Sequence, residues 1–196
     1  MPLDNLKRSS DQAALLASVL KTLPPRLRPV LEFSQKIHAT QKRFGTDTEL
    51  AHLYRVYRII RDELGIEDPD LLAASLLHDS VEDQPVGLDE IELLTNRRVA
   101  ELVGEVTSPV DEIDAPVFLM KIAQASADGM LLKLADRLDN CRGLSPLAAS
   151  MPGFVKEYCA KTIEFFLPRA YHCSAYLASE LESAVKEAEG EKDGIH

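Results

Sequence analysis

Apolar positions recur along the chain at helical spacing. Between Glu49 and Leu64 they fall at Leu53, Val56, Tyr57, Ile60 and Leu64, one face of a helix, and Gly65 follows as its stop. No stretch sustains an alternation of period two, and no Asn-Gly or Asp-Gly hairpin signal is flanked by one. The pattern predicts an all-α protein. Ser9, Ser10 and Asp11 offer caps for a first helix that ends before Pro24-Pro25. A second helix is expected from Arg26 to Arg43, and the loop FGTDT then leads into the helix carrying His52. Asp68-Pro69 opens a helix through LLAASLLHD, followed by a loop at Gln84–Gly87. Shorter helices are expected at Asp89–Leu94 and Arg97–Val106, then a connecting loop, TSPVDEIDAP. Further helices are predicted over Pro116–Ala127, Met130–Leu144, Gly153–Leu167 and Arg169–Ala188.

Length and composition narrow the class. The 196 residues fit one domain with a small extension. We divide them into an N-terminal helical extension (1–25), a main helical domain (26–190) and a frayed end (191–196). The longest largely apolar run, Leu71–Leu77, falls far short of the roughly 20 residues of a membrane span, so none is expected. The polar start, MPLDNLKRSS, does not read as a signal peptide. Three cysteines, Cys141, Cys159 and Cys173, show no metal-site spacing, and their odd number suggests reduced thiols in a cytoplasm. The net charge of −10 argues against a general nucleic-acid binder. It leaves room for a small anionic ligand held by local Arg and Lys, such as Arg43, Lys133, Arg137 and Arg142.

The chemistry concentrates in LLAASLLHDSVED. A strongly apolar helix runs into His78, Asp79, Ser80, Glu82 and Asp83. On a continuous helix the pairs His78/Glu82 and Asp79/Asp83, each four apart, share one side. Burying an unpaired carboxylate is costly, and a cation removes that cost. Taken alone, His52 reads as a histidine at the edge of a core and Asp136, in LLKLADRLDN, as an arginine partner. Together His52, His78, Asp79 and Asp136 compose a divalent site of two imidazoles and two carboxylates. Such mixed ligands suit Mn²⁺, Fe²⁺ or Zn²⁺ better than Ca²⁺ or Mg²⁺.

A histidine, then His-Asp, then a later aspartate resembles the pattern of the HD-domain metal-dependent phosphohydrolases. Within that superfamily AASLLHDSVEDQPVGLDEI, VAELVGEVT and LLKLADRLDNCRGL are similar to the hydrolase domain of the RelA/SpoT family, which hydrolyses (p)ppGpp. The similarity covers roughly residues 30–185 and is most specific in HDSVED and KLADRLDN. The chain is too short to hold the family's synthetase and regulatory domains as well, and so resembles the stand-alone small alarmone hydrolases. The resemblance implies an HD-domain helical bundle with Mn²⁺ held by His52, His78, Asp79 and Asp136. It gives Glu82 and Asp83 the role of positioning and activating the attacking water. Arg43, Asn140 and Tyr158 become contacts to a small nucleotide substrate, with no nucleic-acid partner. One segment departs from the family: FGTDTELAHLY stands where a Gly-x-Pro-Tyr stretch and a proline after the first histidine are usual. The leading expectation is removal of the 3′-pyrophosphate of an alarmone. The alternatives are an HD-type phosphatase for another nucleotide such as NADPH, or a non-catalytic nucleotide sensor.

Overall fold

The computed structural model describes residues 11–43, 47–109 and 115–190. The capping residues Ser9 and Ser10, the expected frayed end at 191–196 and the middle of the TSPVDEIDAP loop lie outside the described residues. Asp11 accepts a hydrogen bond from the Ala14 amide at 3.1 Å and so caps α1, Gln12–Thr22. A short 3₁₀ turn at Pro25–Leu27 leads into α2, Arg28–Ile37. Helix α2 ends six residues before the predicted Arg43. At His38 the backbone leaves helical geometry, and the Gln41 amide closes a turn onto the His38 carbonyl at 3.2 Å. Lys42 and Thr48 then form an isolated antiparallel bridge, supported by the Arg43 amide on the Asp47 carbonyl at 3.1 Å. The short-range bonds of this turn stand in for the helical ones given up, and they bring Gln41 and Arg43 round toward the next helix.

Thr48 caps α3, Glu49–Arg58, through the Ala51 amide. The helix continues as a π turn, Ile59–Glu63, and stops at Gly65, whose φ of 69° suits a residue without a Cβ. Asp68 caps α4, Pro69–Leu77, and α5, Ser80–Asp83, follows as one turn. Then come α6, Leu88–Leu94, and α7, Arg97–Val106, capped by Asn96. Helix α8 covers Pro116–Ile122, stopping short of the predicted Ala127. Helix α9, Ala127–Arg142, begins earlier than predicted. The Ser126 hydroxyl caps its first turn by accepting from the Gly129 amide at 3.1 Å, and Glu105 holds that cap by accepting from the Ser126 amide and hydroxyl at 3.0 and 2.7 Å. Helix α10 is Pro152–Lys161, extended by a π turn, Thr162–Phe166. The single helix expected over Arg169–Ala188 is two, α11 (Leu167–Cys173) and α12 (Ala175–Ala188). Ser174 breaks it: its backbone is extended and its hydroxyl caps α12 through the Leu177 amide.

The described residues form two compact units, divided between Leu132 and Lys133. In the first, α1 packs on α3, and α4 touches α2, α3 and α7. Leu15, Val19, Leu53, Tyr57, Leu72, Leu76 and Val103 are sealed from solvent there. Each such side chain contributes roughly 1.5–3 kcal/mol through burial. In the second unit, α12 packs against α10 and α11. All three cysteines are free, Cys141 and Cys159 buried and Cys173 exposed. Among the described residues no helix is long and apolar enough to cross a membrane.

Candidate metal centre

His52 and His78 come from two thoroughly buried stretches of the first unit, Glu49–Arg58 and Leu71–Leu77. Both rings are buried, His52 on α3 and His78 just past the end of α4. Helix α4 does not run on through HDSVED. The chain turns at His78–Asp79, where Asp79 has φ −93° and ψ −2°, and only then enters α5. The turn aims His78 and Asp79 at His52. The two Nε2 atoms lie 3.2 Å apart, and Asp79 Oδ2 sits 3.5 Å from the first and 3.3 Å from the second. Metal–ligand bonds of about 2.1 Å at ordinary angles separate neighbouring donor atoms by roughly 3.0–3.5 Å. The triangle therefore has the size of one face of a first-row divalent site. The chemistry of the donors fits as well. His78 Nδ1 lies 3.0 Å from the Ser75 carbonyl oxygen, which only accepts, so the proton sits on Nδ1 and Nε2 presents its lone pair.

A second group of carboxylates adjoins the first through Asp79. Glu49, Asp79 and Asp83 each place an oxygen within 4.8 Å of the others. Asp83 joins because α5 keeps its helical spacing: the Asp83 amide donates to the Asp79 carbonyl at 2.9 Å. Glu82 does not join. Its carboxylate accepts from the Ser108 amide at 2.8 Å. The Thr107 carbonyl, in the same peptide group, accepts from Lys121 Nζ at 2.7 Å. Burial, then the charge of Asp79, push the Asp83 carboxyl above its ordinary range, while Gln41 pulls it back.

Glu49 was not among the residues expected from sequence. It stands three before His52, in the first turn of α3, and is buried. Arg43 Nη1 donates to both its oxygens at 3.0 Å and lies 3.6 Å from Asp79 Oδ2. Burial, followed by the Asp79 charge, pushes the Glu49 carboxyl from 4.5 up to about 7, against the pull of Arg43 and His52. Between those values the folded metal-free chain holds a proton that the unfolded chain has released, so stability falls as pH rises through this window. Glu49→Gln cannot ionise. Its urea midpoint in the metal-free state should drop less than that of the unsubstituted chain between about pH 5 and about pH 8. Equal drops would show that Glu49 ionises as freely as an exposed glutamate.

The remaining expected residues lie in the second unit. Asp136 is buried on α9, with Lys133 Nζ at 2.7 Å and an Asn140 Nδ2–H donated to its Oδ1 at 2.7 Å. The Tyr158 ring is buried beneath the Arg137 guanidinium, 3.5 Å from the ring centre, and Phe166 lies 4.3 Å from the same cation. Arg137 also donates to the Thr162 hydroxyl and the Tyr158 carbonyl, both at 2.9 Å.

No family model matches the chain. Curated proteins do. Over 125 residues it is 36% identical to the human guanosine-3′,5′-bis(diphosphate) 3′-pyrophosphohydrolase MESH1, covering 61% of this chain and 70% of that one. Over 174 residues it is 32% identical to the bifunctional (p)ppGpp synthase/hydrolase SpoT of Escherichia coli, covering 83% of this chain but 24% of SpoT. Among solved structures, that of a metazoan ortholog of SpoT, described as hydrolysing ppGpp, superposes with a TM-score of 0.73 at 24% identity. The superposition covers 86% of this chain and 98% of that one, and establishes the all-α fold. With two buried imidazoles and an aspartate converging as a metal face, and with relatives of this similarity, the chain belongs to the MESH1/SpoT-like family of HD-domain (p)ppGpp hydrolases.

Proposed function

We propose that this metal-dependent hydrolase removes the 3′-pyrophosphate of (p)ppGpp-like alarmones, giving GDP or GTP and pyrophosphate. The observation that carries the reading is the convergence of His52, His78 and Asp79, with the Asp83 carboxylate alongside. In this reading His52, His78, Asp79 and Asp136 hold the cation, Mn²⁺. For Asp136 the support is its place in KLADRLDN and a buried carboxylate steadied by Asn140. A divalent ion so held acidifies water and offsets phosphate charge.

The rest of the work falls to side chains. Asp83 orients a water molecule and takes its proton as the oxygen adds to the phosphorus bonded to O3′. The O3′–P bond breaks and O3′ takes up a proton. Glu82 supports this from one residue away, its carboxylate fixing the peptide that follows α7. Arg43, tied to Glu49 beside Asp79, contributes a cation to the nucleotide, with Asn140 and Tyr158 as further contacts.

The test is a turnover screen with Mn²⁺ over ppGpp, pppApp, NADPH and simple phosphomonoesters, with products identified. Pyrophosphate release from an alarmone supports the reading. A kcat/KM for NADPH or a phosphomonoester about tenfold above both alarmones (~1.4 kcal/mol in transition-state stabilisation) moves the enzyme to another substrate. Asp136→Asn should lose metal and activity together; full occupancy in that variant removes Asp136 from the ligand set.

A further inference from the structure

Gln41 is the hub of a hydrogen-bond network that neither the ligand set nor the reaction has used. It lies in the turn that ends α2. Its Oε1 receives two bonds, from His38 Nδ1 at 2.7 Å and from Gln84 Nε2 at 2.6 Å. Its Nε2 gives two, to Asp83 Oδ2 at 2.7 Å and to Glu49 Oε2 at 3.4 Å. Only one orientation of the amide satisfies all four. Flipped, its oxygen would face two carboxylates and its NH₂ would lose both acceptors. Because Oε1 only accepts, the His38 proton must sit on Nδ1. The His38 ring is itself fixed: it is buried, with its Nε2 3.5 Å from the Ser80 hydroxyl.

Asp83 needs such a partner. It is partly open to solvent, on a helix of a single turn, and an unrestrained side chain there would sample several rotamers. Gln41 makes no hydrogen bond to His52, His78 or Asp79, so it bears on the water-handling carboxylate and not on the imidazole ligands. We propose that Gln41, its amide locked by His38, is a positioning residue that holds the Asp83 carboxylate in the orientation used on the attacking water. The inference rests on the role given to Asp83 above. Burial lowers the His38 pKa, which keeps the ring neutral and the lock in one tautomer near neutral pH.

Gln41→Met keeps the length and removes both amide functions. In the full chain with Mn²⁺ and ppGpp, kcat should fall about tenfold, with KM and Mn²⁺ affinity within about twofold of the unsubstituted enzyme. Placed on Asp83→Asn, the same change should cost nothing further, because its route to the reaction is already gone. An equal loss in both backgrounds, a change in KM alone, or an unaltered kcat overturns the proposal. Ring ¹⁵N NMR of the metal-free protein needs no turnover. It should show His38 protonated at Nδ1, with that preference lost in Gln41→Met, and protonation at Nε2 in the unsubstituted chain overturns the lock. If ppGpp is not hydrolysed at all, the alarmone reading fails by itself, and the cycle is then run on the substrate that the screen identifies.

Discussion

Asp79→Asn should bind no Mn²⁺ and lose at least about 10³-fold in kcat/KM, some 4 kcal/mol of transition-state stabilisation. Asp79 belongs to both ligand-type groups, facing His52 and His78 on one side and Glu49 and Asp83 on the other. Asparagine keeps the size and removes the charge that a cation needs beside two neutral imidazoles. The metal-free protein, by contrast, should be no less stable. The Asp79 charge raises the carboxyl pKa of both Glu49 and Asp83, so its removal relieves repulsion in a partly buried cluster. Calorimetry with and without Mn²⁺ separates the two effects. The unsubstituted chain should gain Tm on adding metal, as any ligand that binds only the folded state confers, and the variant should not. A variant that retains the Mn²⁺-dependent rise would show that Asp79 is not a ligand.

Asp83→Asn should keep its metal and lose about 10²-fold or more in kcat, the usual scale for removing a general base. Glu82→Gln should lose less. Its amide oxygen can still accept from the Ser108 N–H, so the peptide after α7 stays in place. The two substitutions are chemically alike and one residue apart, yet Asp83 reaches Asp79 and Glu82 turns toward Ser108. Measuring kcat and metal content in both variants tests this division. Equal losses would show that Glu82 leaves Ser108 during turnover and shares the work on water. Metal loss in either variant would make that residue a ligand.

Much of the fold was legible because helical spacing and caps are local signals. Thr48, Asp68 and Asn96 start helices where side-chain oxygens can reach backbone amides. His52, His78 and Asp79 stood out because ligand-type residues interrupt apolar helices. The break at His78–Asp79 was not legible, since nothing in LLHDSVED is a helix breaker; contact with His52 comes from another helix. Glu49 was hidden for a related reason. An acidic residue in a first helical turn is ordinary, and only the approach of Arg43 shows that this one is buried and paired. Gln41 carried no signal, because its role depends on α2 ending at Ile37, where helical spacing predicted six more residues. Glu105 is a similar case: it holds Ser126, the cap of α9, across a gap that no local pattern spans.

The packing of α1 on α3 also sets an order of events during synthesis. Helix α1 leaves the ribosome before its partners: Tyr57, beside the Thr22 hydroxyl, and Thr48, which donates to Gln12 Oε1 at 3.0 Å. An isolated helix of 11 residues is barely stable in water. At about 5–20 residues per second, α1 spends on the order of seconds as a nascent segment before α3 emerges. Leu15 and Val19, sealed in the finished protein, are open to chaperones and proteases in that interval. Synonymous codon changes that slow translation between α1 and α3 lengthen that exposure without altering a single side chain of the metal centre.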